Sequence, residues 1–344
     1  MSTYDAVADL PLRIEDYRVE GLSLDVSSGF TRHTTVIHLV GRGEEGVGED
    51  VTYDAVDQLA LQESGAELPL QGEFTLGSFS EELEGIELFP QPPNRHASVD
   101  YRRWAFESAA LDLALRQAGT PLHEVLGRTP QPVVFVVSTR ATRPAELVER
   151  YHWIRFKLDP TPEWTDELIE ELVELQRIDC LDLKGQYEGT AVDNPPDPVL
   201  YRRVAEAFPN AWLEDPALTA ETDPVLEPHR DRVTWDAVIH SVADVEALPF
   251  PPRTLNSKPS RFGTIRDLFD FYDYCAEHAI GLYGGGQFEL GLGRGQIQYL
   301  ASLFHSGSSN DVAPGGYNHP EPADDLPASP LEPAPSATGF RWEA

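Results

Sequence analysis

From residue 131 onward the chain alternates short apolar runs with amphipathic stretches, and this alternation constrains the fold more than any other feature. VVFVVS (133–138) is a continuous apolar run of the kind buried in a parallel sheet, and AELVERY follows as a helix. WIRFKLD precedes the helix TDELIEELVELQR, with Thr165 or Asp166 as its cap; CLDLKG precedes DPVLYRRVAEAF. AWLEDP, VTWDA before SVADVEAL, TLNSKP before TIRDLFDFYDYCAEHA, and IGLYGGG before GRGQIQYLASLF continue the series, and NDVAP reads as the eighth and last strand. Eight strands with intervening helices predict an α/β fold, a modified TIM barrel of (β/α)7β type.

The first part reads differently. YRVEGLSLDV and TTVIHLVG have the β-branched and aromatic content of strands, and GRGEEGVGED after them reads as a glycine-rich acidic turn. Short helical pieces are expected around Asp54–Leu61, and FPQPPN breaks structure. YRRWAFESAALDLALRQAG is the clearest helix, with Gly119 as its C-terminal cap. Residues 1–125 are expected to form an α+β capping domain, residues 126–318 the barrel, and residues 319–344 an extended segment packing on either.

The chain has 344 residues, 41% hydrophobic and 24% charged, with a formal net charge of −32. So negative a surface repels phosphate backbones and anionic lipids, which argues against nucleic-acid or membrane partners; solubility or adaptation to salt explains it. There is no apolar run of about 18 residues, and the acidic start, without a basic region and an apolar core, is not expected to act as a secretory leader. Cys180 and Cys275 fall in expected core segments, so a cytoplasmic location without a disulfide framework is expected.

Lysine occurs only at Lys157, Lys184 and Lys258; every Lys/Arg cation elsewhere is arginine. Arginine serves wherever a solvated positive charge suffices, but not where a group must give up its proton. All three lysines fall at expected carboxyl ends of strands, where such barrels build their sites. The same rim carries Asp182, Glu214 and Asp236 on adjacent strands, Gln287 and Glu289 after the seventh, and Asp311 on the eighth. Three carboxylates make a hard oxygen site suited to Mg²⁺ or Mn²⁺; otherwise they cap the turns and helices that follow. Lys157 and Lys258 flank a substrate as an acid/base pair, or else form ion pairs across the barrel mouth. Lys184 belongs either to the site or to a salt bridge, and Asp215 before Pro216 reads as a turn residue. Gly284–Gly286 offer either a close backbone approach to a substrate or a tight strand exit.

FESAALDLALRQAGTPLHEVLG, FKLD, CLDLKG, AWLEDP, VTWDA, NSKPSRFGTI and NDVAPGGYN resemble the enolase superfamily in order and spacing, over residues 15–318. The lysine pattern resembles the muconate lactonising enzyme subgroup, and GLYGGGQ lacks the histidine that the mandelate racemase subgroup carries at the seventh strand. The resemblance implies Asp182, Glu214 and Asp236 as ligands of Mg²⁺ (or Mn²⁺), with Lys157 and Lys258 as base and acid. It also implies a substrate-covering loop at Ser27–Thr35, where Phe30, Arg32 and His33 lie; an arginine there can hold a substrate carboxylate. The sequence departs from that pattern in three places. Lys184 stands where the superfamily has asparagine, Arg155-Phe156-Lys157 replaces lysine-x-lysine, and Ala237 replaces a glutamate.

What the resemblance implies is metal-assisted removal of a proton α to a carboxylate through an enediolate. The outcome is racemisation or epimerisation, cycloisomerisation, or dehydration as in o-succinylbenzoate synthase. Two other readings remain open: a lyase that uses a lysine as a Schiff-base nucleophile, and a pseudoenzyme that binds a carboxylate without turnover. The expected partner is a small carboxylate substrate, with a homo-oligomer as the base-rate assembly.

Overall fold

The computed structural model describes residues 2–65, 68–188 and 192–343. Near the N-terminus, β1 (Pro11–Ile14) pairs antiparallel with β5 (Gly72–Thr75), while β2 (Asp16–Asp25), β3 (Thr31–Gly41) and β4 (Glu44–Asp50) form an antiparallel sheet. The expected acidic turn is therefore mostly strand: only Arg42 and Gly43 turn the chain, and Glu44–Asp50 is β4. Its glycines serve packing. A Cβ on Gly48 would fall 2.0 Å from the Ala105 carbonyl oxygen, and one on Gly46 2.3 Å from that of Ala109. The helix Ser98–Ala118 thus lies directly on β4, closer than any side chain allows. That helix is buried almost all round, and Gly119 ends it in the left-handed conformation (φ +69°).

Helices occupy Ala55–Ser64 and Leu76–Leu83, the second opened by a reciprocal Thr75/Ser78 capping box. Arg102 and Asp50, both fully buried, pair at 2.7 Å and tie the long helix to the end of β4. The loop between β2 and β3 is shorter than expected. It spans residues 26–30, so Phe30 lies in it while Arg32 and His33 belong to β3, paired in register with Leu24 and Ser23.

Parallel strands follow: β6 (Val137–Thr139), β7 (Phe156–Leu158), β8 (Ile178–Asp182), β9 (Trp212–Glu214) and β10 (Val233–Thr234) pair in that order in one sheet. β11 (Thr254–Ser257) pairs in parallel with β12 (Gly281–Gly284). The Asn256 N–H donates to the Trp235 carbonyl at 3.1 Å, which carries the pairing from β10 to β11. The expected eighth strand is reduced to two bridges, Gly285 with Asp311 and Phe135 with Asn310. The Asn310 side chain adds to the main-chain bonds there: its oxygen accepts from Gly284 N–H at 2.6 Å and its amide donates to the Val134 carbonyl at 2.8 Å. The apolar run at 133–138 pairs with β7 only from Val137, while Phe135 bridges Asn310 and Val133 pairs with Leu331 of the proline-rich tail.

Helices connect these strands where the apolar spacing placed them, including Asp166–Leu175, capped by Thr165 Oγ1 (from Leu168 N–H, 3.3 Å), and Ile265–Glu277, capped by Thr264. The tail also reaches the long helix. Phe340 is buried, its N–H donates to Asp112 at 2.8 Å, and Arg341 pairs with the same carboxylate. No helix among the described residues is long and apolar enough to cross a membrane, and both cysteines are buried free thiols.

Candidate active site

Parallel pairing in register lines up the strand ends, and that alignment gathers the charged residues. Cys180–Asp182 of β8 pair with Trp212–Glu214 of β9, and Leu213–Glu214 with Val233–Thr234, so Asp182 and Glu214 are neighbours across a ladder, with Asp236 two residues past the end of β10. Lys157 projects from β7 on one flank of this row, and Lys258 follows β11 on the other.

All of these side chains are buried. Asp182 and Glu214 have no exposed surface, and Lys157 is 3% exposed. Lys157 Nζ donates to Glu214 Oε1 and lies 3.1 Å from Asp182 Oδ2 and 3.9 Å from Asp311 Oδ2. The other Glu214 oxygen accepts from the Tyr283 hydroxyl and, at 3.2 Å, from the Asn256 amide. Asp236 is held by Lys258 (2.5 Å) and by Arg261 Nε (3.0 Å); the Tyr187 hydroxyl donates to it at 3.3 Å and accepts from Arg261. Lys184 Nζ lies 2.5 Å from Asp182 Oδ2, and its backbone N–H donates to the other Asp182 oxygen at 3.2 Å.

Two residues here, Lys184 (φ +53°) and Asp215 (φ +50°), adopt the left-handed conformation that costs a side-chain-bearing residue about 1–2 kcal/mol. The turn at Lys184 folds that residue back on Asp182. The turn at Asp215 aims its carboxylate at the next strand end, where it accepts from Asp236 N–H (2.8 Å) and Ala237 N–H (3.0 Å). The expectation of a turn residue before Pro216 is thus incomplete. Asp215 also stands in the acidic group itself, for one oxygen each of Asp182, Glu214 and Asp215 lies within 4.8 Å of the others, all three buried.

The electrostatics follow from this crowding. Burial and the neighbouring carboxylates push Glu214 up to about 8 against the pull of Lys157, and push Asp215 up to about 7. Burial acts the same way on Asp182 and Asp236, but cations outweigh it: Lys157 and Lys184 hold Asp182 below the usual carboxylate range, and Arg261 and Lys258 do so for Asp236. Burial alone would lower Lys157; Asp182, Glu214 and Asp311 outweigh it and hold the ammonium form well above its ordinary range.

The residues after β12 are arranged differently from the rim. Arg32 is buried and donates to main-chain carbonyls: Thr52 (2.8 Å), Val51 (2.6 Å), Gln287 (3.0 Å) and Phe288 (3.4 Å). Its guanidinium therefore clamps the antiparallel sheet to the segment after β12, in place of the expected grip on a substrate carboxylate. Phe30 is 42% exposed and meets Phe288 edge to face at 5.8 Å. Glu289 accepts from Gln287 N–H at 2.7 Å and pairs with Arg294 at 3.0 Å. Gln287 is fully buried, and neither atom of its amide has a hydrogen-bond partner among the described residues. Gly284–Gly286 are a tight strand exit: a Cβ on Gly285 would fall 2.6 Å from Asn256 Oδ1, and one on Gly286 2.7 Å from Glu289 Oε2. Glu49 of β4 accepts from the N–H groups of Leu290 (2.6 Å), Gly291 and Gly293 at the start of the helix Gly293–Phe304, a second clamp between the sheets.

Sequence reasoning missed Arg261, Tyr187, Asn256 and Tyr283. Arg261 carried a usable signal, lying three residues past Lys258 at the same strand exit. Asn256 and Tyr283 enter through register alone, since they face each other across β11 and β12.

Comparison with other proteins agrees with this geometry. The family described as "Domain of unknown function (DUF8230) N-terminal domain" matches residues 5–125, and its "C-terminal domain" counterpart matches residues 129–319. Among curated proteins, an o-succinylbenzoate synthase of Geobacillus kaustophilus is 25% identical over 240 residues, which is 64% of this chain and 62% of that protein. The chain thus spans less than two thirds of the length of this curated relative. Among solved structures, a dipeptide epimerase from Methylococcus capsulatus complexed with Mg ion superposes with a TM-score of 0.71 at 17% identity, covering 96% of this chain and 99% of that one. A muconate cycloisomerase from Pseudomonas fluorescens gives 0.65 at 16% identity, covering 97% and 94%. The matched domains fill more than half of the sequence, so the chain belongs to the DUF8230 family, and its α/β fold is that of the enolase superfamily.

Proposed function

We propose that the chain is a (β/α)7β-barrel enzyme capped by its N-terminal α+β unit (residues 1–125, with the barrel over 126–318), and that it removes a proton α to a carboxylate. The observation that carries this reading is the bracketing of one row of buried carboxylates by two lysines on different strands. Lys157 comes from β7, Lys258 follows β11, and Asp182, Glu214 and Asp236 lie on or just past the three strands between them. A substrate lying over the row meets one lysine from each flank. One lysine, as the neutral amine, takes the proton, and the other, as the ammonium, delivers one to the opposite face, which suits racemisation or epimerisation; a cycloisomerase or a dehydratase would use the same pair less symmetrically.

The residues fit a hard divalent cation. Asp182, Glu214 and Asp215 converge with one oxygen each, and Glu214 and Asp215 are held above their ordinary range, the mark of carboxylates crowded together with too little countercharge. Asp182 and Glu214 would hold Mg²⁺ or Mn²⁺, with either Asp215, which converges on them, or the expected Asp236 as the third carboxylate. A bound ion would supply positive charge beside the oxygens of the substrate carboxylate as negative charge grows there. The protein's own part is to exclude water by burial, to move protons at Lys157 Nζ and Lys258 Nζ, and to fix Glu214 through Tyr283 and Asn256. A small carboxylate substrate and a cytoplasmic location belong to this proposal.

The test is solvent exchange. Purified protein with Mg²⁺ in D2O would be incubated with a panel of α-protonated carboxylates, including N-acylamino acids, dipeptides and succinylbenzoate precursors, and followed by proton NMR. The expected result is α-deuteration of at least one class, lost in Lys157→Ala and in Lys258→Ala. Binding of the same compounds without exchange would overturn the enzymatic reading in favour of a carboxylate-binding protein of this fold.

A further inference from the structure

Lys184 puts a third ammonium on the acidic cluster, and its placement differs from that of the other two. Lys157 and Lys258 are buried, whereas Lys184 retains 19% of its side-chain exposure and stands between two carboxylates. On the inside is Asp182, fully buried, with Oδ2 at 2.5 Å; on the outside is Asp159, just past β7, with Oδ1 at 3.6 Å and nearly half of its side chain exposed. The Tyr187 ring lies 5.2 Å from the ammonium and gives it a third favourable surface. Residue 184 engages both oxygens of Asp182, one through Nζ and one through the backbone N–H. A cation approaching the cluster from the Asp182 side therefore meets a charge already seated there.

We propose that Lys184 is a tethered counter-ion that competes with a divalent cation for Asp182, and that Asp159 is the seat to which it withdraws when the cation binds. This rests on the divalent-ion reading of the same site. The ammonium has to travel only from a carboxylate at 2.5 Å to one at 3.6 Å, a rotation within the reach of a four-carbon stem whose backbone stays fixed. A charge left within a few ångströms of a divalent ion weakens its binding by about tenfold or more, even at a high effective dielectric. The outer carboxylate therefore keeps the site usable, and the inner contact keeps it weak.

The experiment is titration of Mn²⁺ into the metal-stripped full-length protein, with free ion followed by electron paramagnetic resonance. Lys184→Asn suits the position because asparagine tolerates the left-handed backbone there, and Lys184→Arg keeps the charge. Circular dichroism of each variant checks the fold. K184N is expected to bind Mn²⁺ at least about tenfold more tightly than wild type, and K184R no more tightly. Asp159→Asn is expected to weaken binding several-fold in wild type and to have much less effect in the K184N background, because the withdrawn ammonium is then absent. Equal affinity of wild type and K184N overturns this inference and leaves the divalent-ion reading intact, as does an Asp159→Asn effect of the same size in both backgrounds. No binding by either wild type or K184N overturns both.

Discussion

Arg261 Nε lies 3.0 Å from Asp236 Oδ1, and both side chains are buried beside Lys258. Arg261 ends the short turn Pro259–Arg261, which packs against the helix Ser98–Ala118. Removing one member of a buried, hydrogen-bonded ion pair leaves the other charge desolvated and underpaired. Arg261→Met is therefore expected to lower unfolding free energy by about 3 kcal/mol, read from urea denaturation. A loss below about 1 kcal/mol would place the pair among weak surface contacts.

Glu214 gives a pH prediction whose sign is fixed by its environment. Its folded pKa is raised to about 8, above the ordinary 4.5, so between these values the folded state binds more protons than the unfolded state. The contribution of Glu214 to stability is fully present at the acid end and is lost as pH rises toward about 8. Glu214→Gln lacks this titration. In EDTA, the stability of wild type relative to E214Q is expected to fall as pH rises from about 5 and to level off above about 8, measured by urea midpoints across that range. A difference that does not change with pH would refute the assignment.

Glu214 is also one of the convergent donors in the acidic group. The E214Q variant is expected to lose at least about tenfold in Mn²⁺ affinity, by the same resonance titration, since a neutral amide replaces a charged hard-oxygen ligand. Unchanged affinity would mean that any bound ion lies elsewhere.

Arg32 serves the union of the two sheets, so its loss should appear as instability. Arg32→Met abandons four carbonyl acceptors, on Val51, Thr52, Gln287 and Phe288. A loss of about 2–3 kcal/mol is expected, since hydrogen bonds from a charged group are each worth more than neutral ones and the carbonyls stay buried. Thermal unfolding with and without a carboxylate ligand separates this from a binding role. A variant of wild-type stability that only weakens ligand binding would restore the arginine to the substrate.

Gly48 tests the packing of β4. An added Cβ would lie 2.0 Å from the Ala105 carbonyl oxygen, a backbone atom that a rotamer change cannot move. Gly48→Ala is expected to cost about 3 kcal/mol or more through displacement of the long helix. The same substitution at Gly43, with nothing within 4 Å of the added Cβ but φ at +77°, costs only the conformational strain, about 1 kcal/mol. Comparison of the two melting temperatures checks both numbers.

The sequence by itself determined the order of the elements. Apolar runs such as FKLD and CLDLKG, with amphipathic stretches between them, specify alternating strands and helices because burial imposes its period locally. The scarcity of lysine marked Lys157, Lys184 and Lys258, since a bias toward arginine spares only positions that escape it or need an amine. Local pattern failed where a residue answers to a distant partner. Gly46 and Gly48 look like turn residues until the helix that lies on them is known, and the strand read at NDVAP pairs only through Asn310 and Asp311, where the Asn310 side chain adds bonds to both neighbouring chains. Arg32 reads as a free cation in a loop, yet its acceptors lie about twenty and more than two hundred and fifty residues further along the chain. The juxtaposition of Asp215 with Asp182 and Glu214, and of Arg261 with Asp236, came only from the register of parallel strands, because the energy of a buried charge depends on what surrounds it in space and not on its neighbours along the chain.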